Sequence, residues 1–327
     1  MTTDLPRGVQ VRAPRKEDQA AIVDLLVACD MSDCGKADSS LEVLQQEWRI
    51  EHFDPEQDAW IAFADGRPVG YAAIPNHRAP RARFYGRVHP DYRGRGLGSY
   101  LLARVEKRAR DFVHLARPDE RVFLQTWCHG SSSSAKSLLE MHGHRCVRHT
   151  WAMGITMEQP PAEPRWPSGI VLRPFVPERD GYAVFEAKEN AFRDHWGYLP
   201  ADFSSWYQQN AAPREGFDPS LWFIAMDGDE VAGIALCGYY LGQGEVEILG
   251  VRRPWRRSGL GLALLHHAFG EFYRRGLRKV GLGVDSESLT GATRLYQRAG
   301  MSIELVYDSY EKDLRAGKDS RTQYLTE

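Results

Sequence analysis

The five cysteines (Cys29, Cys34, Cys128, Cys146 and Cys237) form no C-x-x-C pair and no zinc-ligand spacing. That argues against a disulfide framework or a structural metal and predicts reduced, cytoplasmic thiols. No stretch approaches the ~18 apolar residues of a membrane span, and "MTTDLPRGVQ" has no apolar leader core, so neither membrane insertion nor secretion is expected. Excess charge is also missing. A net charge of −2 gives no whole-chain reason to expect nucleic acid or an anionic membrane as partner. The nucleotide signatures G-K-[ST] and G-x-G-x-x-G are absent. Histidines are present in "HHAF" and "MHGHRCVRH", but His266 and His267 are adjacent and would leave a helix on different faces, so no metal is expected.

What the chain does have is length and repetition. At 327 residues it exceeds one ordinary domain, and 43% hydrophobic residues suffice for two cores. "VQVRAPRKEDQAAIVDLL", starting at Val9, resembles "IVLRPFVPERDGYAVFEA", starting at Ile170, and "WIAFADGRPVGYAAI" resembles "WFIAMDGDEVAGIAL". Arg12 matches Arg173 at an offset of 161, Trp60 matches Trp222 at 162, and Arg93 matches Arg256 at 163. So steady an offset means two copies of one domain. Between them "MEQPPAEPRWPSG" packs four prolines into thirteen residues, which no helix or central strand tolerates. The expected division is therefore a first copy over 1–156, a linker over 157–169 and a second copy over 170–327.

Each copy reads the same way: a short strand, an apolar helix, and two alternating runs joined by Asp-Gly (Asp65-Gly66; Asp227-Gly228), the strongest short hairpin signal. A strand (83–89; 244–252) then enters a glycine loop, followed by a helix, a fifth strand (121–128; 278–285), a short helix and closing strands. This order predicts a mixed α/β fold per copy, with a largely antiparallel sheet flanked by helices. In "CHGSSSSAKSLL" the serines read as an N-cap for the short helix rather than as nucleophiles.

The loops "RGRGLG" (Arg93, Gly94, Gly96, Gly98) and "RRSGLG" (Arg256, Arg257, Ser258, Gly259, Leu260, Gly261) share R-x-x-G-x-G spacing between strand and helix. Such a turn aims unpaired helix-terminal N–H groups at an anion, and glycine lets the ligand approach the backbone. Glu245 and Glu247 lie two residues apart on the preceding strand. On a regular strand both carboxylates share a face, with Val246 and Ile248 turned the other way into the core.

"VHPDYRGRGLGSYLL", "GVRRPWRRSGLGLALL" and "GATRLYQRAGM" resemble the conserved segments of the GNAT family of acyl-CoA N-acyltransferases, over roughly 9–155 and 170–314. The paired arrangement is similar to tandem actinobacterial members of the mycothiol synthase type. The resemblance implies acetyl-CoA as acyl donor, with its pyrophosphate on the two loops and its pantetheine arm along the strand backbone at Val88, Leu249 and Val251. It further implies a small-molecule amine as acceptor, direct transfer, Glu245 (or Glu247) as base and Tyr296 as acid. In the first copy the residue eleven before Arg93 is Ala82, and Leu139 replaces the tyrosine, so the second copy is expected to carry the chemistry. The first would hold CoA as a scaffold, or hold nothing. "NAFRDHWGYLPADFSSWYQ" resembles a segment of tandem members; Asp194, His195, Trp196 and Tyr198 read equally as acceptor ligands or as core at a helix end. The matching stretch "ADSSLEVLQQEWRIEHFD" offers no such cluster. A monomer or homodimer is expected. An antibiotic amine, a thiol-precursor amine, or a non-catalytic acyl-CoA-binding regulator are the competing readings.

Overall fold

A computed structural model describes residues 4–76, 79–212, 217–288 and 290–323. Along the first half run β1 (Val9–Arg12), α1 (Gln19–Cys34), α2 (Leu41–Glu47), α3 (Pro55–Asp58), β2 (Ala59–Ala64), β3 (Arg67–Asn76), β4 (Arg81–Val88), α4 (Leu97–Arg110), β5 (Val122–His129), α5 (Ser133–Met141) and β6 (Arg145–Thr156). The second half repeats the order with β7 (Ile170–Pro174), α6 (Pro177–Phe192), α7 (Phe203–Asn210), β8 (Trp222–Asp227), β9 (Glu230–Tyr240), β10 (Gln243–Val251), α8 (Leu260–Arg274), β11 (Lys279–Asp285), α9 (Ala292–Arg298) and β12 (Ser302–Arg315).

The two compact units do not follow the expected boundaries. One comprises the chain to His149 together with Leu305–Ser320; the other comprises Thr150–Glu304 and the residues from Arg321. Each unit thus takes its closing strand from across the linker: β12 pairs antiparallel with β5, and β6 with β11. Hydrophobic pattern alone does not reveal this, because β6 and β12 are both amphipathic closing strands and either satisfies either edge. The proline-rich 157–167 is irregular, as expected.

Within the N-terminal unit the strand order is β1-β2-β3-β4-β5-β12, and within the C-terminal unit it is β7-β8-β9-β10-β11-β6. All neighbours within each are antiparallel except β4/β5 and β10/β11, which are parallel. The hairpin turns form where Asp-Gly predicts them, with Asp65 and Gly66 both at positive φ in the first and Gly228 in the second.

In both units helices cover both faces. α4 buries Leu97, Leu101, Leu102 and Val105, and α8 buries Leu260, Leu264, Leu265, Phe269 and Phe272, at the i, i+4 spacing of a helix face. α1 and α6 cover the opposite faces, with Ile22, Leu25 and Leu26 in one core and Val184 and Phe185 in the other. Repeat symmetry extends to charges: Arg12 pairs with Asp18 at 2.6 Å, and Arg173 pairs with Asp180 at 2.6 Å.

Candidate active site

The central parallel pair separates almost at once in both units. β10 and β11 pair only at Gly244–Val280 and Glu245–Gly281; β4 and β5 pair only from Arg81–Phe123 to Arg83–Gln125. Beyond these points no pairing is found between the two strands, which leaves an opening on the side of the glycine loop. Backbone groups freed at such an opening can hydrogen-bond the amides of an extended arm.

The loops close the wide end of each opening. Gly259 (φ 92°) and Gly96 (φ 87°) cap α8 and α4 in the left-handed region that glycine tolerates best. The following glycines also allow close packing. A Cβ on Gly98 would lie 2.8 Å from Leu138 Cδ2, and one on Gly261 3.3 Å from Leu295 Cδ1. Arg256 differs from the sequence expectation. Its Nε donates to Val251 O (3.2 Å), Nη1 to Asp194 (2.7 Å) and Nη2 to Ala191 O (3.0 Å). Arg93 repeats this with Val88 O (3.1 Å) and Asp33 (2.7 Å). Both arginines are struts that tie the loop to the covering helix. The carbonyls of Val88 and Val251 are engaged by them, and Leu249 and Val251 pack side chains beneath α8. The exposed Arg257 (φ 63°) and Ser258, whose Oγ donates to Trp255 O at 2.7 Å, form the outer rim, with buried Leu260 anchoring the helix start.

At the apex of the C-terminal opening, four positions lie in register across neighbouring strands: Gly238 on β9, Glu245 on β10, Gly281 on β11 and Gly154 on β6. The three glycines form a shallow floor on the face opposite α8. Carboxylates lie over it. A Cβ on Gly281 would lie 2.6 Å from Glu245 Oε2, and one on Gly238 2.7 Å from Glu247 Oε1; Glu304 occupies the same space above Gly154. Lys279 pairs with Glu304 at 3.1 Å. The strand is not regular here: a bulge between Val246 and Ile248 places an extra residue at Glu247. Val246 packs beneath α8 as expected, but Ile248 does not; the bulge turns it into the core under α6. Tyr296 lies on α9, on the α8 face, 8% exposed, and burial pushes its hydroxyl up to about 12.

The N-terminal unit fills the equivalent floor. Its register row is Asn76, Arg83, Gln125 and Glu311. Arg83 Nε donates to Gln125 Oε1 (3.3 Å) and Gln125 Nε2 to Glu311 Oε1 (3.1 Å). At the last paired position Arg83 therefore stands where Glu245 stands, not Ala82, which is buried beneath α4. Counting back from the loop misses this by one residue because the bulge at Glu247 lengthens β10.

The segment from Asp194 to Tyr198 is drawn apart. Asp194, 1% exposed, binds Arg256 and Arg253, whose bonds hold its carboxyl at about 2. Trp196 lies under Arg321 (5.1 Å), and Tyr198 donates to Glu189 at 2.6 Å. His195 stacks on Phe192 (4.4 Å), and burial followed by the Arg256 charge lowers its pKa. Three of the four are thus committed to packing and loop support. Two features escaped sequence reading. In "ADSSLEVLQQEWRIEHFD", Glu47 accepts from Tyr85 Oη (2.8 Å), and burial pushes its carboxyl up to about 7. Ser132 stands at the N-cap of α5, but its hydroxyl makes no cap bond and is buried without a hydrogen-bond partner. Among the described residues no His, Cys, Asp or Glu cluster suits a metal, and no helix is long and apolar enough to cross a membrane.

Comparison with known proteins agrees with this geometry. The acetyltransferase (GNAT) family pattern matches residues 20–123 and 183–301. A mycothiol acetyltransferase of Thermobispora bispora is 32% identical, over 89% of this chain and 95% of that protein. One of Streptomyces scabiei is 32% identical over 75% of each. Among solved structures, a GCN5-related N-acetyltransferase from Sphaerobacter thermophilus superposes with a TM-score of 0.86 at 42% identity, covering 97% of this chain and 99% of that one. A tandem GNAT protein from the clavulanic acid biosynthesis pathway shares the fold, with a TM-score of 0.69 at 19% identity, covering 95% and 100%. Two short parallel strand pairings, two capped loops and two matched regions place the chain in the acetyltransferase (GNAT) family, as a tandem member.

Proposed function

We propose that the C-terminal unit transfers an acetyl or short acyl group from acyl-CoA to the primary amine of a small cationic molecule, and that Glu245 and Tyr296 handle the protons. The observation that carries this reading is the glycine-floored row at the apex of the opening, present in one unit and filled by Arg83, Gln125 and Glu311 in the other. The residues fit CoA as co-substrate: the opening accepts an extended arm, and the N-terminus of α8 with Arg257, Ser258 and Gly259 faces a pyrophosphate.

An amine arrives protonated and must lose that proton before attacking the thioester carbonyl. Glu245, at the apex, accepts it directly or through a water. Glu247 and Glu304 supply negative charge over the same floor and favour a cationic acceptor. As the C–S bond breaks, the thiolate needs a proton. Tyr296, kept in its protonated form by burial, is the donor from the opposite face of the sheet. No covalent enzyme intermediate is required. The N-terminal unit lacks both groups and takes acyl-CoA on the Arg93 loop without this route.

The curated relatives named as mycothiol acetyltransferases favour a second reading of the acceptor, the amine of a mycothiol precursor. Release of CoA thiol over a panel of amines separates the two. Glu245→Gln is expected to lower kcat by about 10²-fold and Tyr296→Phe by about tenfold. Unchanged kcat in both variants removes the catalytic assignment.

A further inference from the structure

The N-terminal unit contains a cavity of about 500 Å³ that continues inward from the Arg93 loop. Its outer part is bounded by Val88, Arg93, Gly94 and Gly96, the positions read above as a CoA site. Its inner part is apolar, walled by Phe84, Leu101, Leu102, Val105 and Leu139. Leu139 holds the place that Tyr296 occupies in the other unit, and the smaller side chain leaves room where the phenol ring would stand. The polar groups that line the passage are also telling. Neither ring nitrogen of His129, 2% exposed, has a hydrogen-bond partner, and the Oγ of Ser132, 5% exposed, has none either. His129 Nε2 faces the buried Asp30 carboxylate at 3.7 Å, an ion-pair contact, which leaves Nδ1 and the Ser132 hydroxyl as the unmet groups.

Buried polar atoms without partners are uncommon in native proteins and mark places completed by something bound. An empty cavity lined by leucine, valine and phenylalanine stays dry and takes apolar ligands. The two halves of this cavity therefore call for one molecule with two characters: amides or hydroxyls where His129 and Ser132 lie, and a hydrocarbon where Leu102, Val105 and Leu139 lie.

We propose that the N-terminal unit is a binding site for a CoA thioester carrying a medium-length aliphatic acyl chain, whose hydrocarbon tail fills the space beneath α4 left by Leu139. The pantetheine arm passes His129 and Ser132, which donate to or accept from its amide groups. No bond is made or broken. The two units then differ in ligand: the C-terminal one, with Tyr296 in place, takes a short acyl group, and the N-terminal one takes a longer chain. The proposal rests on the Arg93 loop being a CoA site and adds the acyl selectivity of that site.

The test is calorimetric titration of the full chain with CoA and with acetyl-, butyryl-, hexanoyl- and octanoyl-CoA. Each buried methylene contributes about a fourfold gain in affinity. At one of two sites per chain, hexanoyl-CoA is expected to bind at least tenfold tighter than acetyl-CoA. Leu139→Tyr refills the space and is expected to abolish that preference while acetyl-CoA still binds; Leu102→Phe narrows the same space from α4 and should act alike. Melting temperatures close to that of the unaltered chain confirm that both variants fold. Two CoA sites with no dependence on chain length overturn the acyl pocket, as does a preference that survives both substitutions. A single CoA site per chain that ignores chain length and both substitutions overturns instead the reading of the Arg93 loop, so the two failures are distinguishable.

Discussion

Replacing Asp194 by asparagine isolates the strut that holds the C-terminal loop. The carboxylate is almost fully buried and shared by Arg253 and Arg256, and Arg256 also carries the Val251 and Ala191 carbonyls. Those bonds hold Asp194 at about 2 against an ordinary 3.8. At about 1.4 kcal/mol for each tenfold change in acidity, the gap corresponds to about 2.5 kcal/mol. The asparagine carbonyl can still accept one bond, so a loss of about 2 kcal/mol is expected. For a unit of this size that lowers Tm by about 4–8 °C. Because the folded carboxyl is depressed, its stabilising effect is complete above the unfolded value of 3.8 and disappears as pH falls through about 2. Urea melts should therefore separate wild type and Asp194→Asn fully at pH 7, and the difference should shrink steadily below pH 3.8. With the loop less firmly placed, the KM for acetyl-CoA should rise by about tenfold, a change of roughly 1.4 kcal/mol, with a smaller change in kcat. Melts that superimpose at pH 7, with KM unaltered, would refute the strut. A stability loss without a KM change would confine Asp194 to folding and free the loop from its influence.

The glycine floor allows a steric test that leaves Glu245 chemically intact. Gly281→Ala places a methyl 2.6 Å from Glu245 Oε2, so the carboxylate must move, and kcat should fall by about 10²-fold while acetyl-CoA binding measured by calorimetry is retained. Glu47 provides a pH test in the N-terminal unit. Its carboxyl is raised from 4.5 to about 7, so the folded state holds the proton more tightly and stability declines as pH rises from about 4.5 to 7. Glu47→Gln removes that decline and should gain about 2 kcal/mol at pH 8 after solvent screening, but almost nothing at pH 4, in urea titrations.

Particular residues show why some of the site was legible in sequence and some was not. The loops could be read because their demands are local: Gly96 and Gly259 adopt a left-handed conformation, and the residues after them begin a helix. Glu245 and Tyr296 stand out in the sequence through the family resemblance, Glu245 by its distance from the loop and Tyr296 within "GATRLYQRAGM". The contacts of Asp194, Trp196 and Tyr198 were not legible, since their partners (Arg256, Arg321 and Glu189) come from other segments of the chain. Glu47 was passed over for the same reason: its environment is set by Tyr85, 38 positions away. The alignment of Glu245 with Ala82 failed because a β-bulge adds one residue without leaving a sequence mark.

The amino-acid sequence by itself determined the duplication, the order of strands and helices within each copy, the two loops and the unequal endowment with Glu245 and Tyr296, because offsets, turn residues and apolar periodicity are properties of neighbours along the chain. Only the tertiary structure decided that each unit is closed by a strand from across the linker. It alone revealed that one apex is floored by glycine while the other is filled by an Arg–Gln–Glu chain, and that the N-terminal unit keeps an apolar cavity. These depend on cross-strand register and on which side chains share a volume, and no spacing along a single chain encodes either.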